Sequence, residues 1–136
     1  MKKYIFLDVD GVLSTAVSGW RIDVVLLRRF FDLIRLTGAR VIISSSWKEK
    51  DFIRTLRVFP PNLRPYIDGQ TPDIPGGKRG HEIAAFLESH PCKRYIILDD
   101  ERENLLEGQY DRLVETSYIT GITDDDVQNG IALLNG

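Results

Sequence analysis

Cysteine is nearly absent from this 136-residue chain, since Cys92 is its only one. A single thiol excludes an intramolecular disulfide framework and a cysteine-based zinc cluster. Long apolar runs are also missing, and none approaches the length that crosses a bilayer. The first residues lead directly into a strand-like segment, without the basic-then-apolar layout of a signal peptide. We therefore expect a cytoplasmic location.

Neither sign of charge is in large excess, because 18 basic and 20 acidic residues leave a net charge of −2. A global basic field, which would indicate broad affinity for nucleic acid, is thereby excluded. The chain is long enough for one domain with a substantial hydrophobic core and too short for two stable domains. We expect a single domain over residues 1–136, and the composition leaves the oligomeric state open.

The stretch Tyr4–Leu13 carries the strongest functional signal in the sequence. Its first part, Tyr4–Leu7, is an unbroken apolar run that predicts a strand buried on both faces. Asp8 and Asp10 follow directly, and Gly11 then allows the backbone to bend sharply. Two like charges a few ångström apart repel each other, so one acid must be protonated or a cation must lie between them. The alternative is an Asp-rich turn that caps a helix.

Apolar periodicity predicts an alternation of strands and helices along the rest of the chain. Further strands are predicted at Arg40–Ile43, Tyr66–Ile67, Tyr95–Leu98 and Arg112–Glu115. Helices are predicted between Asp23 and Gly38, at Lys48–Val58, at Gly80–Ser89, around Leu105–Leu106 and at Thr123–Leu134. Strand–helix–strand units of this kind predict an α/β fold whose central sheet is mainly parallel, with right-handed crossovers.

Ligands of open α/β sheets bind in the crevice at the carboxyl ends of the strands. Acids and hydroxyls end three of the predicted strands, namely Asp8 and Asp10, Ser44–Ser46, and Asp99 and Asp100. Carboxylates suit magnesium, and serine hydroxyls suit phosphate oxygens. Lys78 and Arg79 add positive charge at the start of a predicted helix. Together these groups predict a magnesium site that supports phosphoryl transfer.

Each of these groups also has a purely structural interpretation when it is taken alone. The serine run can be a loop that supplies helix-capping groups. Lys78 and Arg79 can be a solvated basic pair, and Asp99 and Asp100 can cap the helix that follows them. The prediction depends on their occurrence together and in this order.

That order resembles the motifs of the haloacid dehalogenase (HAD) superfamily. Phe6–Leu13 resembles its first motif, and Val41–Ser44 resembles its second. Lys78 or Arg79 would be the third motif. Lysine is the usual residue of this motif, which favours Lys78. The family often places that lysine directly before a glycine, which is the position of Arg79 before Gly80. Ile96–Asp100 resembles the fourth motif. The resemblance implies a three-layer, Rossmann-like fold.

Two further segments narrow the resemblance. Ser44–Lys48 and Arg79–Ile83 are similar to a small bacterial and phage branch of HAD domains, some of them associated with RNA repair. HAD proteins often insert a cap domain into the main fold. Here the corresponding segments, Ser14–Arg21 and Asn62–Gly77, are too short to form one. We therefore expect no substantial cap and a crevice open to solvent or to a large substrate.

The resemblance also implies roles for individual residues. Asp8 would be the nucleophile and a Mg²⁺ ligand, while Asp10 would be the general acid and base and would bind the metal through its backbone carbonyl. Asp99 would complete the metal site, with Asp100 acting through a water molecule. Substrate phosphate would be bound by Ser44 or Ser45, with Gly11 beside it, and Lys78 or Arg79 would supply the catalytic cation.

The function implied is that of a magnesium-dependent phosphomonoester hydrolase with an aspartyl-phosphate intermediate. With no cap, nucleic-acid or nucleotide phosphate ends are the expected substrates, and Trp20, Arg21, Trp47 and Lys48 would border the crevice and bind bases and backbone. Three alternatives remain open. They are a small-metabolite phosphatase, a phospho-accepting receiver domain, and a HAD fold that serves only as a binding module.

Overall fold

Five parallel strands form the central sheet of the computed structural model, which describes residues 2–136. Their spatial order is β3-β2-β1-β4-β5. The bounds are Lys3–Leu7 for β1, Arg40–Ile43 for β2, Ile67–Gln70 for β3, Arg94–Asp99 for β4 and Leu113–Glu115 for β5. The α/β class and the parallel sheet predicted from the sequence are both confirmed.

Strand β1 lies at the centre of the sheet because its residues from Tyr4 to Leu7 are buried on both faces. Leu7, its last residue, pairs with Ile43 of β2 on one side and with Leu98 of β4 on the other. Parallel strands in this register end at nearly the same level. The residues that directly follow Leu7 and Ile43 therefore lie beside the last residue of β4.

Four helices cover the two faces of the sheet, giving the three layers predicted. They are α1 (Val24–Thr37), α2 (Phe52–Arg57), α3 (Arg79–Ser89) and α4 (Asp124–Asn135). One face packs against α1 and α4, and the other packs against α3 and the 3-10 turns that follow β4. Alternate residues of a strand point to opposite faces, so β1, β2 and β4 each contribute to both cores.

The residues that cap α1 and α4 lie at helix boundaries predicted from the sequence. The Asp23 carboxylate accepts the backbone N–H groups of Val25 and Leu26, and Gly38 ends α1 with a φ of 69°. Thr123 and Asp126 form a reciprocal capping box at the start of α4. Such side-chain caps satisfy N–H groups that have no partner within the helix.

The segment before α2 differs from the prediction, because the helix expected at Lys48–Val58 is wrong in its first turn. Helix α2 begins only at Phe52, where the Asp51 carboxylate caps it by accepting the N–H of Arg54. Residues 48–50, which precede this cap, have irregular backbone structure instead. Ile53 is exposed, although its apolar side chain within the predicted helix indicates a position on the inner face.

Two smaller differences concern other predicted helices. Ala84 of α3 is exposed, although its apolar side chain predicted an inward position. Leu105 and Leu106 lie between two 3-10 turns, Arg102–Asn104 and Glu107–Arg112, and are not part of a helix. Leu105 is nevertheless buried against the α3 face of the sheet, so the apolar signal reported burial correctly.

Residues 2–136 form no substantial cap, as predicted. The connection from β1 to α1 spans residues 8–23, and the connection from β2 to α3 spans residues 44–78. The longer connection contains α2 and β3, and β3 pairs with β2 as an edge strand of the main sheet. Within residues 2–136, no helix has the combination of length and apolar character that a membrane crossing needs.

The contribution of α1 to stability can be tested with two leucines of the same helix. Leu33 is fully buried against the sheet, whereas Leu36 is 59% exposed. We expect Leu33→Ala to lower the free energy of unfolding by about 2–5 kcal/mol, because it leaves a cavity in the core. Leu36→Ala should change it by less than about 0.5 kcal/mol. Urea unfolding monitored by circular dichroism measures both, and equal effects would contradict the packing described.

Candidate active site

Three carboxylates meet at the carboxyl end of the central strands. Asp8 directly follows β1, Asp99 is the last residue of β4, and Asp100 comes next. One oxygen atom from each lies within 4.8 Å of the others. Asp8 is 5% exposed and Asp99 is fully buried, so two of the three carboxylates are almost entirely shielded from solvent.

The register of the sheet explains this meeting. The N–H of Asp8 donates to the carbonyl of Leu98 at 3.0 Å, and the N–H of Ser44 donates to the carbonyl of Leu7 at 2.9 Å. Asp8, Ser44 and Asp99 are therefore side by side on three neighbouring strands. Because side chains alternate along a strand, all three point to the face that α3 covers.

Arg79, the first residue of α3, supplies the positive charge at this cluster. Its Nη1 atom lies 3.0 Å from Oδ2 of Asp99 and 3.5 Å from Oδ2 of Asp8. Lys78 lies one residue before the helix, with an exposed side chain, and it forms no ion pair within residues 2–136. The sequence left these two cations equivalent, and the structure brings only Arg79 to the carboxylates.

Asp10 is held separately from the three clustered acids. Its Oδ1 atom accepts hydrogen bonds from the Ser14 hydroxyl at 2.7 Å and from the Trp47 indole at 3.1 Å. Trp47 also packs against Phe59, with ring centroids 5.9 Å apart. The Trp47 ring therefore positions Asp10. Trp47 was expected instead to border the crevice and contact substrate.

The two candidate phosphate-binding serines have different environments. The Ser44 hydroxyl is buried and has no hydrogen-bond partner among the described residues. The Ser45 hydroxyl accepts the backbone N–H of Trp47 at 3.1 Å. Buried hydroxyls nearly always have a partner, so the unpaired Ser44 group beside Asp8 is consistent with a ligand at this point.

A family model described as the HAD domain in Swiss Army Knife RNA repair proteins matches residues 4–127. The chain belongs to this family. The resemblance to an RNA-repair branch of the HAD superfamily is thereby confirmed, and membership suggests phosphatase-type chemistry. Searches among curated proteins and among solved structures gave no match.

Gly11 of this HAD domain allows the acidic loops to approach each other closely. It has a φ of 84°, and a Cβ at this position would collide with the carboxylate of Asp100. Its N–H donates to the carbonyl of Ser14 at 2.8 Å, so that amide is already engaged. The contribution seen in the structure is therefore the space it leaves for Asp100.

Thr116, which directly follows β5, ties the two acidic loops together. Its hydroxyl donates to the carbonyl of Gly11 at 2.7 Å, and its N–H donates to the carbonyl of Asp99 at 3.1 Å. This residue did not stand out in the sequence. Its position at the end of a parallel strand is the signal that could have identified it.

The side chain of Lys48, which was expected to border the crevice, forms contacts within the HAD domain instead. Its Nζ atom lies 3.1 Å from the carbonyl of Thr71, 3.0 Å from Asp73 and 3.4 Å from Glu82. The side chain is only 9% exposed. Lys48 therefore fixes the connection before α3, and the expectation that it forms a basic rim for a nucleic-acid backbone is not met.

An open cavity of about 510 Å³ lies over the cluster. Its charged lining consists of five carboxylates and one cation, which are Asp8, Asp10, Asp100, Glu101, Glu103 and Arg79. Two aromatic side chains, Trp20 and Tyr118, complete its wall together with Ser46 and Asn104. Trp20 was expected here, whereas Arg21 is exposed and is not part of this lining.

Burial dominates the protonation of the clustered acids. Loss of solvent raises the pKa of Asp8 from 3.8 to about 8, against the opposing effect of Arg79 and with a further increase from Asp99. Burial also raises the pKa values of Asp99 and Asp100. Ionised carboxylates are disfavoured in this environment unless additional positive charge is supplied.

The raised pKa predicts how stability depends on pH in the absence of divalent metal. The folded protein holds the Asp8 proton more tightly than the unfolded chain does, so unfolding free energy should fall as pH rises from about 3.8 to about 8. Asp8→Asn removes this ionisation. We expect the variant to be more stable than the wild type at pH 8 by at least about 1 kcal/mol, the equivalent of one pKa unit.

Urea unfolding at several pH values in the presence of a chelator measures this difference. The gain in stability should shrink towards acidic pH, where Asp8 is protonated in both states. Glu88→Gln, which replaces an exposed acid of α3, is the matched control and should follow the wild type. Parallel pH profiles for Asp8→Asn and the wild type would contradict the predicted protonation of Asp8.

Proposed function

We propose that this chain is a magnesium-dependent phosphomonoesterase that acts through an aspartyl-phosphate at Asp8, and that residues 1–136 work as one domain. The observation that supports this most strongly is the position of Asp8 within 4.8 Å of Asp99 and Asp100, with Arg79 beside it. Membership of the HAD family is the second support. The proposed substrates carry a phosphate at a nucleic-acid or nucleotide end.

The three clustered carboxylates fit a small divalent cation. Their oxygens are the hard donors that Mg²⁺ prefers, and they lie close enough to share one ion. Asp8, Asp99 and Asp100 would hold it, with the Asp10 backbone carbonyl as a further proposed ligand. When bound, the ion would neutralise charge on the acids and on the substrate phosphate.

Asp8 and Asp10 share the covalent chemistry in this proposal. An ionised Asp8 oxygen attacks phosphorus, the phosphorus–oxygen ester bond breaks, and protonated Asp10 gives its proton to the leaving alcohol oxygen. Water then attacks the phosphorus of the aspartyl-phosphate while Asp10 accepts a proton from it, and the bond between phosphorus and the Asp8 oxygen breaks. Inorganic phosphate leaves, and both carboxyl groups return to their starting states.

Hydrogen bonds to one oxygen of Asp10 suit this role. Ser14 and Trp47 both donate to Oδ1, which fixes the orientation of the carboxyl group. No hydrogen bond to Oδ2 is formed within residues 2–136, so that atom is available for proton transfer. Precise placement of the proton donor is a large part of general acid catalysis.

Ser44 and Arg79 are the proposed ligands of the transferred phosphoryl group. The buried Ser44 hydroxyl lies level with Asp8 and has no partner among the described residues. Arg79 can donate several N–H bonds to phosphate oxygens while remaining paired with Asp99. These groups stabilise charge that develops on the phosphoryl oxygens.

The nucleophile can be tested by an isosteric substitution. Asp8→Asn keeps the shape of the side chain and removes the attacking negative charge. We expect turnover of a phosphate-ended oligonucleotide, measured as released phosphate, to fall by at least about 100-fold. Asp32→Asn, at a half-exposed position of α1 that is far along the chain from the acidic motifs, is the matched control and should keep full activity. Full activity in a folded Asp8→Asn protein would exclude Asp8 as nucleophile.

Asp99 and Asp100 can be ranked by a magnesium titration of activity. Both Asp99 oxygens are already engaged, one by the N–H of Glu101 and the other by Arg79, whereas Asp100 lines the cavity. These contacts favour Asp100 as the more important ligand, which is the reverse of the ranking that the HAD resemblance implies. We expect Asp100→Asn to raise the Mg²⁺ concentration required for half-maximal activity by roughly 10- to 100-fold, and Asp99→Asn to raise it less.

The opposite order would show that Asp99 is the direct ligand and that Asp100 acts behind it. Because Asp99 also pairs with Arg79, its variant requires a folding control. Circular dichroism and urea unfolding of both variants separate a loss of metal affinity from a loss of structure. Activity of the wild type that survives exhaustive chelation would exclude the metal from the reaction.

A further inference from the structure

Trp20 has the most unusual backbone conformation in the described part of the chain. Its φ is 58°, and it is the one non-glycine residue within residues 2–136 with a positive φ. A bulky side chain is sterically disfavoured in this region. Such conformations persist only where the surrounding structure enforces them, and they are concentrated at ligand sites and active sites.

Hydrogen bonds hold the Trp20 loop in this conformation. The Ser18 hydroxyl donates to the carbonyl of Arg21 at 2.7 Å and accepts the N–H of Thr15 at 3.0 Å. The N–H of Trp20 itself donates to the carbonyl of Thr15 at 2.9 Å. The loop is thus closed on itself, and it places the indole at a defined point of the cavity wall.

Tyr118 is presented by a second short loop, which follows β5. The N–H of Gly121 donates to the carbonyl of Ser117 at 2.7 Å and closes this turn. The next residue, Ile122, donates its N–H to the carbonyl of Val12 at 2.9 Å. The Tyr118 loop is therefore attached to the turn that carries Asp8 and Asp10.

Both aromatic rings line the cavity that contains the catalytic acids. Trp20 is 45% exposed and Tyr118 is 59% exposed, and neither is stacked on another aromatic ring within residues 2–136. Both side chains therefore have surface that a ligand in the cavity can contact. Exposed aromatic faces bind flat, conjugated rings such as nucleobases, with little dependence on which base is present.

We propose that Trp20 and Tyr118 bind the nucleobase of the nucleotide whose phosphate is removed. This inference rests on the phosphatase function proposed above, because the substrate phosphate must lie at Asp8. It adds a base-binding subsite, and it assigns specificity to two residues outside the acidic motifs.

The charge of the cavity determines which part of a nucleic acid can enter. Glu101 and Glu103 line it together with the catalytic acids, and Arg79 is its one cationic lining residue. Carboxylates repel a phosphodiester backbone, so a continuous strand is disfavoured across this surface. A terminal nucleotide with a single phosphate at Asp8 avoids most of this repulsion. The bound unit is therefore a strand end and not an internal segment.

Two oligoribonucleotides test the proposal when they differ only in the terminal nucleotide. Both carry the same terminal phosphate, but one has a base at that nucleotide and the other is abasic. We expect the wild type to prefer the base-bearing substrate. Trp20→Ala and Tyr118→Ala should each lower kcat/KM for that substrate by roughly 5- to 100-fold and should reduce the preference over the abasic one.

Matched controls come from the same two loops. Val17 and Ile119 are exposed apolar residues that do not line the cavity. Val17→Ala and Ile119→Ala should keep the wild-type preference. Trp20→Gly repeats the first variant without backbone strain, because glycine adopts a positive φ freely, and this removes misfolding as an explanation. A wild type with no preference, or a preference unchanged in both ring-deleted variants, would overturn the proposal.

A binding measurement separates this inference from the reaction itself. Adenosine monophosphate is titrated into the Asp8→Asn protein while tryptophan fluorescence is recorded, with Trp47 as an internal reference. Saturable quenching that disappears in the Asp8→Asn/Trp20→Gly double variant supports the subsite even if no phosphatase activity is found. Absence of saturable quenching, or quenching that persists without Trp20, contradicts it. Phosphate release from the abasic substrate tests the phosphatase function alone.

Discussion

The close approach of three carboxylates, two of them buried, at one edge of the sheet is the constraint on which the rest of the structure depends. Asp8, Asp99 and Asp100 share a space less than 5 Å across, and Arg79 is the one cation within ion-pair distance among the described residues. Repulsion and lost hydration both favour the protonated acids. A site of this kind is stable when a further cation binds, and it then becomes suited to phosphate chemistry.

Rigid elements hold this unfavourable arrangement in place. Three parallel strands in register carry Asp8, Ser44 and Asp99, while Thr116 ties the loop of Gly11 to the end of β4. Trp47 and Ser14 orient Asp10. Positions fixed by strand ends and short hydrogen-bonded loops need little reorganisation during a reaction, which is the condition for electrostatic catalysis.

The sequence predicted most of the elements that position the cluster, because a buried strand followed by acids is a strong local pattern. It could not separate Lys78 from Arg79, since that choice depends on where α3 begins, and a difference of one residue rotates the side chain away from the cluster. Trp47 and Lys48 were placed on the rim because no local pattern shows that Asp10 and Thr71 are their partners. Tyr118 reaches the site only because the strand before it, β5, lies beside β4 in the sheet, and local sequence patterns do not show the order of the strands.

Calorimetric titration of Mg²⁺ into the protein tests the central claim, which is that the clustered carboxylates form a cation site. The account predicts saturable binding of one ion per chain, with release of protons at neutral pH because the bound ion lowers the raised pKa of Asp8. Proton release is seen as a dependence of the measured heat on the ionisation enthalpy of the buffer. Absence of saturable binding, or binding that is unchanged when Asp8 and Asp100 are both replaced by asparagine, would contradict it.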